Sequence, residues 1–440
     1  MKKYRPKHKS NTATMIKFSF VALLVIAGLR MPYLNYLALL LACSFIITSK
    51  VDVIVELLMF LLSISPIFKL KPGGHTFFTI LLLVAISKLL FQSKFKALKY
   101  KQILLILAFS TFMVLFGGVN SIIRLIDLCL AFLLMSLVFS QKEKLNLHRI
   151  LVFFSLGIIL ASFLGLFDDY IPGLSPFMNQ IKLKLGQGEY INRFCGINVN
   201  PNAYTMDISI ALAGWFGLVV AKQTNKLDYI IIIILSVFGA MSISKSFLVM
   251  YAILLLFVLI SLGRQNLSSL IKGVLIIGLL CIVTFFIIDK EYINAYINRL
   301  VLDINSSMSL SSVTTGRLDI WKGYLYYVFS DAKVLLFGEG LGADYFMTRA
   351  THNYFLEMIY YMGIIGSVLY LLCIKVAFPQ RNVSVKRALV NYLPIIILFV
   401  RGMAINMIFS EALIFYFIII AVMLNTDLSI RKLKIVEEIQ

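Results

Sequence analysis

Apolar runs of about 16 to 22 residues follow one another along almost the whole chain, broken by short basic or polar links. At ~1.5 Å of rise per helical residue, each run covers a ~30 Å hydrocarbon layer with some tilt or snorkelling at its ends. With 60% hydrophobic residues against 14% charged and a mean hydropathy of +0.92, the chain is far from the balance of a soluble domain. It reads as an all-α polytopic membrane protein. We place the spans near residues 14–29, 33–48, 51–67, 76–91, 102–118, 121–140, 150–167, 204–221, 228–243, 246–263, 271–288, 352–374, 388–404 and 407–425. The first three are weakly separated, so the expectation is about twelve to fourteen transmembrane helices.

Basic links set the expected orientation, because Lys and Arg beside a span bias that side to stay cytoplasmic. With the N-terminus inside, Lys94, Lys99, Lys142, Lys144, Arg149, Lys222, Lys226, Arg264, Arg387 and Arg431 all fall in the cytoplasm, as do both termini. The basic leader Met1–Lys9 precedes an apolar run without a small-residue cleavage site, which reads as a retained span. The net charge of +20 is then mostly topogenic and matched to anionic lipid. Nucleic acid is excluded as a partner, since it would want a solvated basic domain. Cys43, Cys129, Cys195, Cys281 and Cys373 are scattered and form neither a disulfide framework nor a C-x-x-C metal site.

Two long polar segments, residues 168–203 and 289–351, fall on the outer face. The chain divides accordingly into N-terminal transmembrane helices, 1–150, and a core, 151–440, that holds both loops. Long loops are largely exempt from the charge rule, so Lys182, Lys184, Arg193, Lys290, Arg299, Arg317, Lys322, Lys333 and Arg349 do not contradict the orientation. They are either ordinary solvated charges or an electropositive mouth collecting an anionic substrate.

In the first loop, Arg193-Phe194-Cys195-Gly196 leads to Asn200-Pro201-Asn202 directly before an apolar helix. Asn is a good N-cap and Pro is tolerated in a first turn, so this stretch can be helix punctuation alone. A helix start also offers free N–H groups to an anion, with Arg193 nearby as a bidentate fork. In the second loop Leu318, Trp321, Leu325 and Val328 step by 3, 4 and 3. That spacing predicts a short interfacial helix with this stripe toward lipid, Trp321 at headgroup depth and Arg317 at the N-terminus. The following Phe337-Gly338-Glu339-Gly340-Leu341-Gly342 lacks the Lys-Ser/Thr of a P-loop. It reads as a flexible turn delivering the chain to His352, with a backbone anion nest as the other option.

Of the four histidines, His8, His75, His148 and His352, only the last has catalytic surroundings. Thr351 is a plausible cap that would place His352 and Asn353 in the first helical turn. There the helix dipole and nearby arginines would keep the imidazole neutral near pH 7 and able to take a proton. The plainer reading is a capping or interfacial histidine without chemistry. Metal binding is disfavoured, since Glu357 lies roughly 140° round the helix from His352 and no second His or Cys is near. Gly363 and Gly366 are expected to let a neighbouring helix approach closely. Glu56, Lys88, Arg124, Asp127, Asp207, Arg401 and Glu411 fall within spans, most of them near the ends, where snorkelling or local pairing suffices. Arg401 and Lys245 differ in falling on the outer side, with the two loops.

These residues resemble the O-antigen ligase and polymerase family, the membrane glycosyltransferases that polymerise or attach lipid-linked polysaccharides. The family's His, then Asn, Ser or Gln, nine residues, and Gly-x-x-Gly with a small residue is matched by His352, Asn353, Gly363, Gly366 and Ser367. Arg193, Gly196 and Asn200-Pro201-Asn202 resemble its earlier outer loop, while Thr315-Gly316-Arg317, Trp321, Gly338, Gly340 and Gly342 resemble the segment leading to the His. The resemblance covers about residues 190–370, and the first 150 residues match in hydropathy only.

What the resemblance implies is a GT-C-like bundle with two large extracytoplasmic loops, in a bacterial plasma membrane. The activity implied is inverting glycosyl transfer without metal or cofactor, between an undecaprenyl-diphosphate-linked glycan donor and acceptor on the outer face. Chain-length regulator and flippase proteins are the partners it implies, besides membrane lipid. His352 would be the general base, Arg193 and Arg317 would neutralise the diphosphate, and Arg401, Lys245, Asn200 and Asn353 would complete the substrate-binding set. A polymerase of a capsule, exopolysaccharide or O-antigen is favoured over a ligase acting on lipid A core or protein. The ground is a Lys-, Ile-, Asn- and Phe-rich composition, which points to a low-GC organism without lipid A. A transporter or flippase with a midplane polar pathway is the remaining reading.

Overall fold

The computed structural model describes residues 12–94, 97–178, 182–185, 189–198, 200–264, 316–346, 349–378 and 389–428, with isolated positions between 267 and 297. The expected span at 271–288 and the loop from 298 to 315 thus lie largely outside the described residues, as do both termini.

The first half contributes α1 (Thr12–Ala27), α2 (Tyr33–Thr48), α3 (Val51–Leu62), α4 (Phe78–Gln92), α5 (Tyr100–Gly117), α6 (Ile122–Ser140) and α7 (Leu147–Leu166). The second adds α8 (Pro201–Val220), α9 (Lys226–Met241), α10 (Lys245–Gly263), α11 (Arg317–Ser330), α12 (Ala332–Phe337), α13 (Tyr354–Ala377), α14 (Leu393–Gly402) and α15 (Ala412–Asn425). Among the described residues six helices, α5, α6, α7, α8, α10 and α13, are long and apolar enough to cross a bilayer, and several shorter apolar helices accompany them. The chain is a multi-pass helical membrane protein. Most helices start and end within a few residues of the expected runs, and some of these starts carry a side-chain cap. Asn146 accepts from the Arg149 amide at 3.2 Å, and Asn225 and Asp228 form a reciprocal capping box.

Two departures have local causes. The expected span at 388–404 shrinks to the ten residues of α14 behind a 3-10 turn at Leu389–Tyr392, since Pro394 in the first turn lacks the N–H that would continue the helix backwards. In the segment before α8 the all-α expectation fails locally: β1 (Lys182–Leu185) pairs antiparallel with β2 (Glu189–Asn192), Lys182 opposite Asn192.

The most enclosed of the long helices is α8, packed by α7, α9, α10 and α14. Its small residues permit this; a Cβ on Gly214 would come within 2.5 Å of the Leu151 side chain. Beside it, α13 carries a kink at Gly363, whose φ of 61° is left-handed. The Gly338–Gly340 segment fills this break: Glu339 N donates to Tyr360 O and Gly340 N to Tyr361 O, both at 2.9 Å. The glycine hexamer is therefore a packed backbone plug, and the expected flexible turn is corrected. Gly366 lies against Phe112 of α5, and Gly363 against the main chain of Leu336 and Phe337, so both glycines do admit close neighbours.

Of the two accounts expected for polar groups within spans, snorkelling or pairing, Glu56 and Asp207 take pairing, and Arg401 is buried as well. Glu56, 1% exposed, pairs with Arg149 at 2.6 Å; Asp207, buried in α8, accepts from the Tyr416 hydroxyl at 2.6 Å; Arg401 is 1% exposed. Charges this deep need partners inside the protein, because lipid offers none.

Candidate functional site

Four chain segments meet where α8, α10 and α13 begin and α14 ends. Asn200 caps α8, its side-chain oxygen accepting from the Asn202 amide at 2.8 Å, and Pro201 occupies the first helical position. This geometry turns the Asn202 carbonyl and the Thr205 hydroxyl toward α14, where Arg401 Nη2 donates to them at 2.5 and 2.6 Å. Arg401 Nη1 donates to the Ser246 hydroxyl at the start of α10. Its Nε is buried and donates to none of the described residues. Ser244 closes the link between α8 and α10, donating to Asn202 Oδ1 at 3.1 Å. Lys245 is the first residue of α10, half-buried between these two serines.

The loop before α8 folds back on α7. Gly196, with φ 57°, sits against the backbone of Ala161, and Ile197 N donates to Ala161 O at 3.2 Å. That fixes Arg193, whose Nε donates to Ser242 O at 3.2 Å. The Cys195 thiol, buried and donating to Asn198 O at 2.9 Å, is pushed up to about 11 by desolvation against the pull of the Arg193 charge, so it is an inert side chain here.

From the other side, α11 approaches α13. Arg317 is its first residue, following Gly316 in a left-handed turn at φ 78°. One turn on, Trp321 Nε1 donates to Thr351 O at 3.0 Å, and Tyr324 donates to Arg349 O at 2.8 Å. The buried face of this helix is Ile320, Tyr324 and Val328, with Trp321 at its edge. The expected Leu318–Trp321–Leu325–Val328 stripe toward lipid is corrected accordingly.

His352 also lies two helical positions from its expected place. Asn353, not Thr351, is the N-cap of α13, its side-chain oxygen accepting from Phe355 N at 3.0 Å and Leu356 N at 3.2 Å. His352 therefore precedes the helix, in a left-handed conformation with φ 48° that a non-glycine residue adopts only under constraint. The constraint is visible: Thr351 Oγ1 accepts from Asn353 N at 3.2 Å and donates to either Asn353 O at 3.0 Å or Asn406 Oδ1 at 3.2 Å. Burial lowers the His352 pKa below the ordinary imidazole value, and the Arg317 charge lowers it further. The ring is neutral at pH 7 as expected, but desolvation rather than the helix dipole is the main cause.

Arg193 and Arg317 both lie within electrostatic reach of Arg401, and Arg317 also reaches His352. The structure thus gathers Arg193, Arg317, Arg401 and His352 from four distant segments. Asn200 and Asn353 adjoin them, their side-chain oxygens capping α8 and α13. Such a site offers several cationic donors for an anion and one neutral imidazole able to accept a proton.

The supporting roles of Glu357 and Arg124 were not expected from the sequence. Glu357, buried in α13, accepts from Met407 N at 3.0 Å and Ile408 N at 3.4 Å, holding the loop that carries Asn406. Arg124 donates to Leu341 O at 2.5 Å and stacks over Phe409 at 4.6 Å. A short-range signal existed for one group alone, the alternating Ser242, Ser244 and Ser246 before an apolar run. At the far end of α13, Lys99, Lys142 and Lys144 line a cavity of about 560 Å³ with Val376 and Phe378. No protein-family model matches the chain, and no curated protein sequence does.

Proposed function

We propose that this protein is an inverting membrane glycosyltransferase of the O-antigen polymerase and ligase kind, with a GT-C-like bundle and its site on the extracytoplasmic face. One observation carries the reading: three arginines and a neutral histidine from positions 193, 317, 352 and 401 share one electrostatic neighbourhood at the ends of membrane helices. A lipid-linked diphosphate sugar is anionic, amphipathic and held at a membrane surface, so it fits that combination. The separation of His352 from Lys99, Lys142 and Lys144 by the 24 residues of α13 supports the orientation, since lysine-rich ends stay cytoplasmic.

In this mechanism the acceptor sugar hydroxyl attacks the anomeric carbon of the donor while its proton passes to the His352 imidazole. The bond from that carbon to the diphosphate breaks, and the electron pair leaves with undecaprenyl diphosphate. Arg193 and Arg317 stabilise the growing negative charge, with Arg401 behind them. Proton transfer by a positioned base is worth ~10² to 10⁴ in rate. We assign polymerisation of lipid-linked repeat units ahead of ligation, on composition.

The test is incubation of purified protein with lipid-linked repeat units, without nucleotide sugar or divalent metal, read by product size. Longer glycans are expected, and His352→Ala is expected to abolish them while leaving the protein inserted. Movement of intact units across the bilayer without new glycosidic bonds would establish a transporter instead.

A further inference from the structure

On the side of α11 turned away from the candidate site lies a second apolar surface. Ile320, Tyr324 and Val328 are 8%, 0% and 3% exposed, whereas Leu325, Tyr326 and Phe329 are 40%, 78% and 68% exposed, and Leu336 of α12 is 41% exposed. At ~100° per residue, Leu318, Lys322, Leu325 and Phe329 step by 4, 3 and 4 along one line, roughly opposite the buried face. We propose that α11 and α12 lie in the headgroup–acyl boundary of the bilayer through Leu325, Tyr326, Phe329 and Leu336. One short helix then holds the His352 loop with one face and the lipid leaflet with the other.

Depth supports lipid as the occupant. The Tyr324 ring meets that of Tyr360 edge-on, centroids 5.1 Å apart, and Tyr360 is six residues into α13. That is ~9 Å along the helix axis, and Leu336, against Gly363, lies ~13 Å along it. Gly340 lies against Gly117, the last residue of the span α5. The stripe is therefore level with the ends of helices that cross the membrane rather than raised above them.

Continuity supports it too. Phe337, next to Leu336, stacks on Phe116 at 4.2 Å. Phe116 and its neighbour Leu115 are 41% and 71% exposed on α5, whose surface is mostly turned outward. The stripe thus extends an apolar belt that the bilayer already covers. Exposed Lys322 lies within the stripe and exposed Lys333 follows it on α12, where long basic side chains reach from apolar depth to phosphate. Aromatic rings at this level suit the interface better than either pure hydrocarbon or water.

The proposal is independent of the catalytic reading, and its test uses no turnover. Tyr326→Trp and Phe329→Trp are each introduced into the full chain, reconstituted in phosphatidylethanolamine–phosphatidylglycerol vesicles with or without bromine on the acyl chains close to the glycerol. The parent protein, which keeps Trp215 and Trp321, gives the baseline; Leu256→Trp on α10, 55% exposed, marks full lipid contact. The added emission is expected to fall at least twofold in brominated lipid and to resist aqueous iodide. Quenching by iodide and not by bromine would put the stripe in water, and quenching by neither would put a protein surface over it; either overturns the proposal. Leu325→Trp and Leu336→Trp serve the same measurement should a first variant fail to insert.

Discussion

The indole Nε1 of Trp321 donates to the main-chain carbonyl of Thr351 at 3.0 Å, so the residue before His352 is held by a helix that begins at Arg317. The candidate base and the candidate phosphate ligand are thereby mounted on one rigid piece. Trp321→Phe keeps the ring and removes the donor. A net hydrogen bond is worth ~0.5 to 1.5 kcal/mol, so folding survives. A base misplaced by ~1 Å can cost ~10²-fold, so kcat for chain growth is expected to fall about 10- to 100-fold with KM little changed. An unaltered kcat would show that the loop keeps its shape unaided.

The pH profile follows from the lowered His352 pKa. In the proposed mechanism the neutral imidazole is the active form, so activity is expected to hold as pH falls through the ordinary His value of ~6.5 and to be lost only below it. Removing the Arg317 charge takes away one of the two causes of the lowering. In Arg317→Gln the acid limb of kcat is expected to move to higher pH, though only part of the way, because burial remains. An acid limb that stays in place would separate Arg317 from the base.

Arginines at the site divide by burial. Arg401→Ala removes a buried cation and its three hydrogen bonds to Asn202 O, Thr205 Oγ1 and the Ser246 hydroxyl, which keep the Thr205 and Ser244 hydroxyls as local partners, a loss of about 2 to 4 kcal/mol and several degrees of Tm in detergent. Lys in its place cannot reproduce the planar fork and falls in between. Arg193→Ala and Arg317→Ala, half-buried at loop and helix ends, are expected to leave Tm nearly unchanged while raising KM for the lipid-linked donor. Equal Tm losses in all three would make the cluster a folding device.

Glu357 separates acceptor from charge. Glu357→Gln keeps an oxygen for Met407 N and Ile408 N, whereas Glu357→Ala strands two buried amides and releases the loop bearing Asn406. Limited proteolysis in detergent should show cleavage within 403–411 for the alanine variant alone, with stability lower by about 2 to 4 kcal/mol.

Gly363→Ala is expected to abolish the folded protein. Its φ of 61° strains any L side chain, and the new Cβ would lie 2.4 Å from the Leu336 carbonyl. Normal size-exclusion behaviour of that variant would contradict the backbone plug.

Much of the helical plan was legible because hydropathy and capping act over a few residues: the run at 204–221 and the Asn200-Pro201 start together define α8 without any partner. Individual candidates such as His352, Arg193 and Arg317 were legible for the same reason, as polar residues at helix edges in a chain short of them. The cap of α13 was misassigned by two residues, from Thr351 to Asn353, because both side chains can cap and only the positive φ at His352 decides between them. The lipid-facing side of α11 was misassigned as well, since one short helix carries two apolar stripes and spacing alone does not say which one meets protein.

Sequence by itself determined that this chain must cross a membrane many times in helices, because lipid leaves a long apolar run no other way to pair its backbone. Only tertiary structure decided which polar residues meet. Arg401 finds Thr205 and Ser246 across 196 and 155 residues of chain, and such pairings depend on which helices pack side by side, a property of the whole bundle that no local pattern encodes.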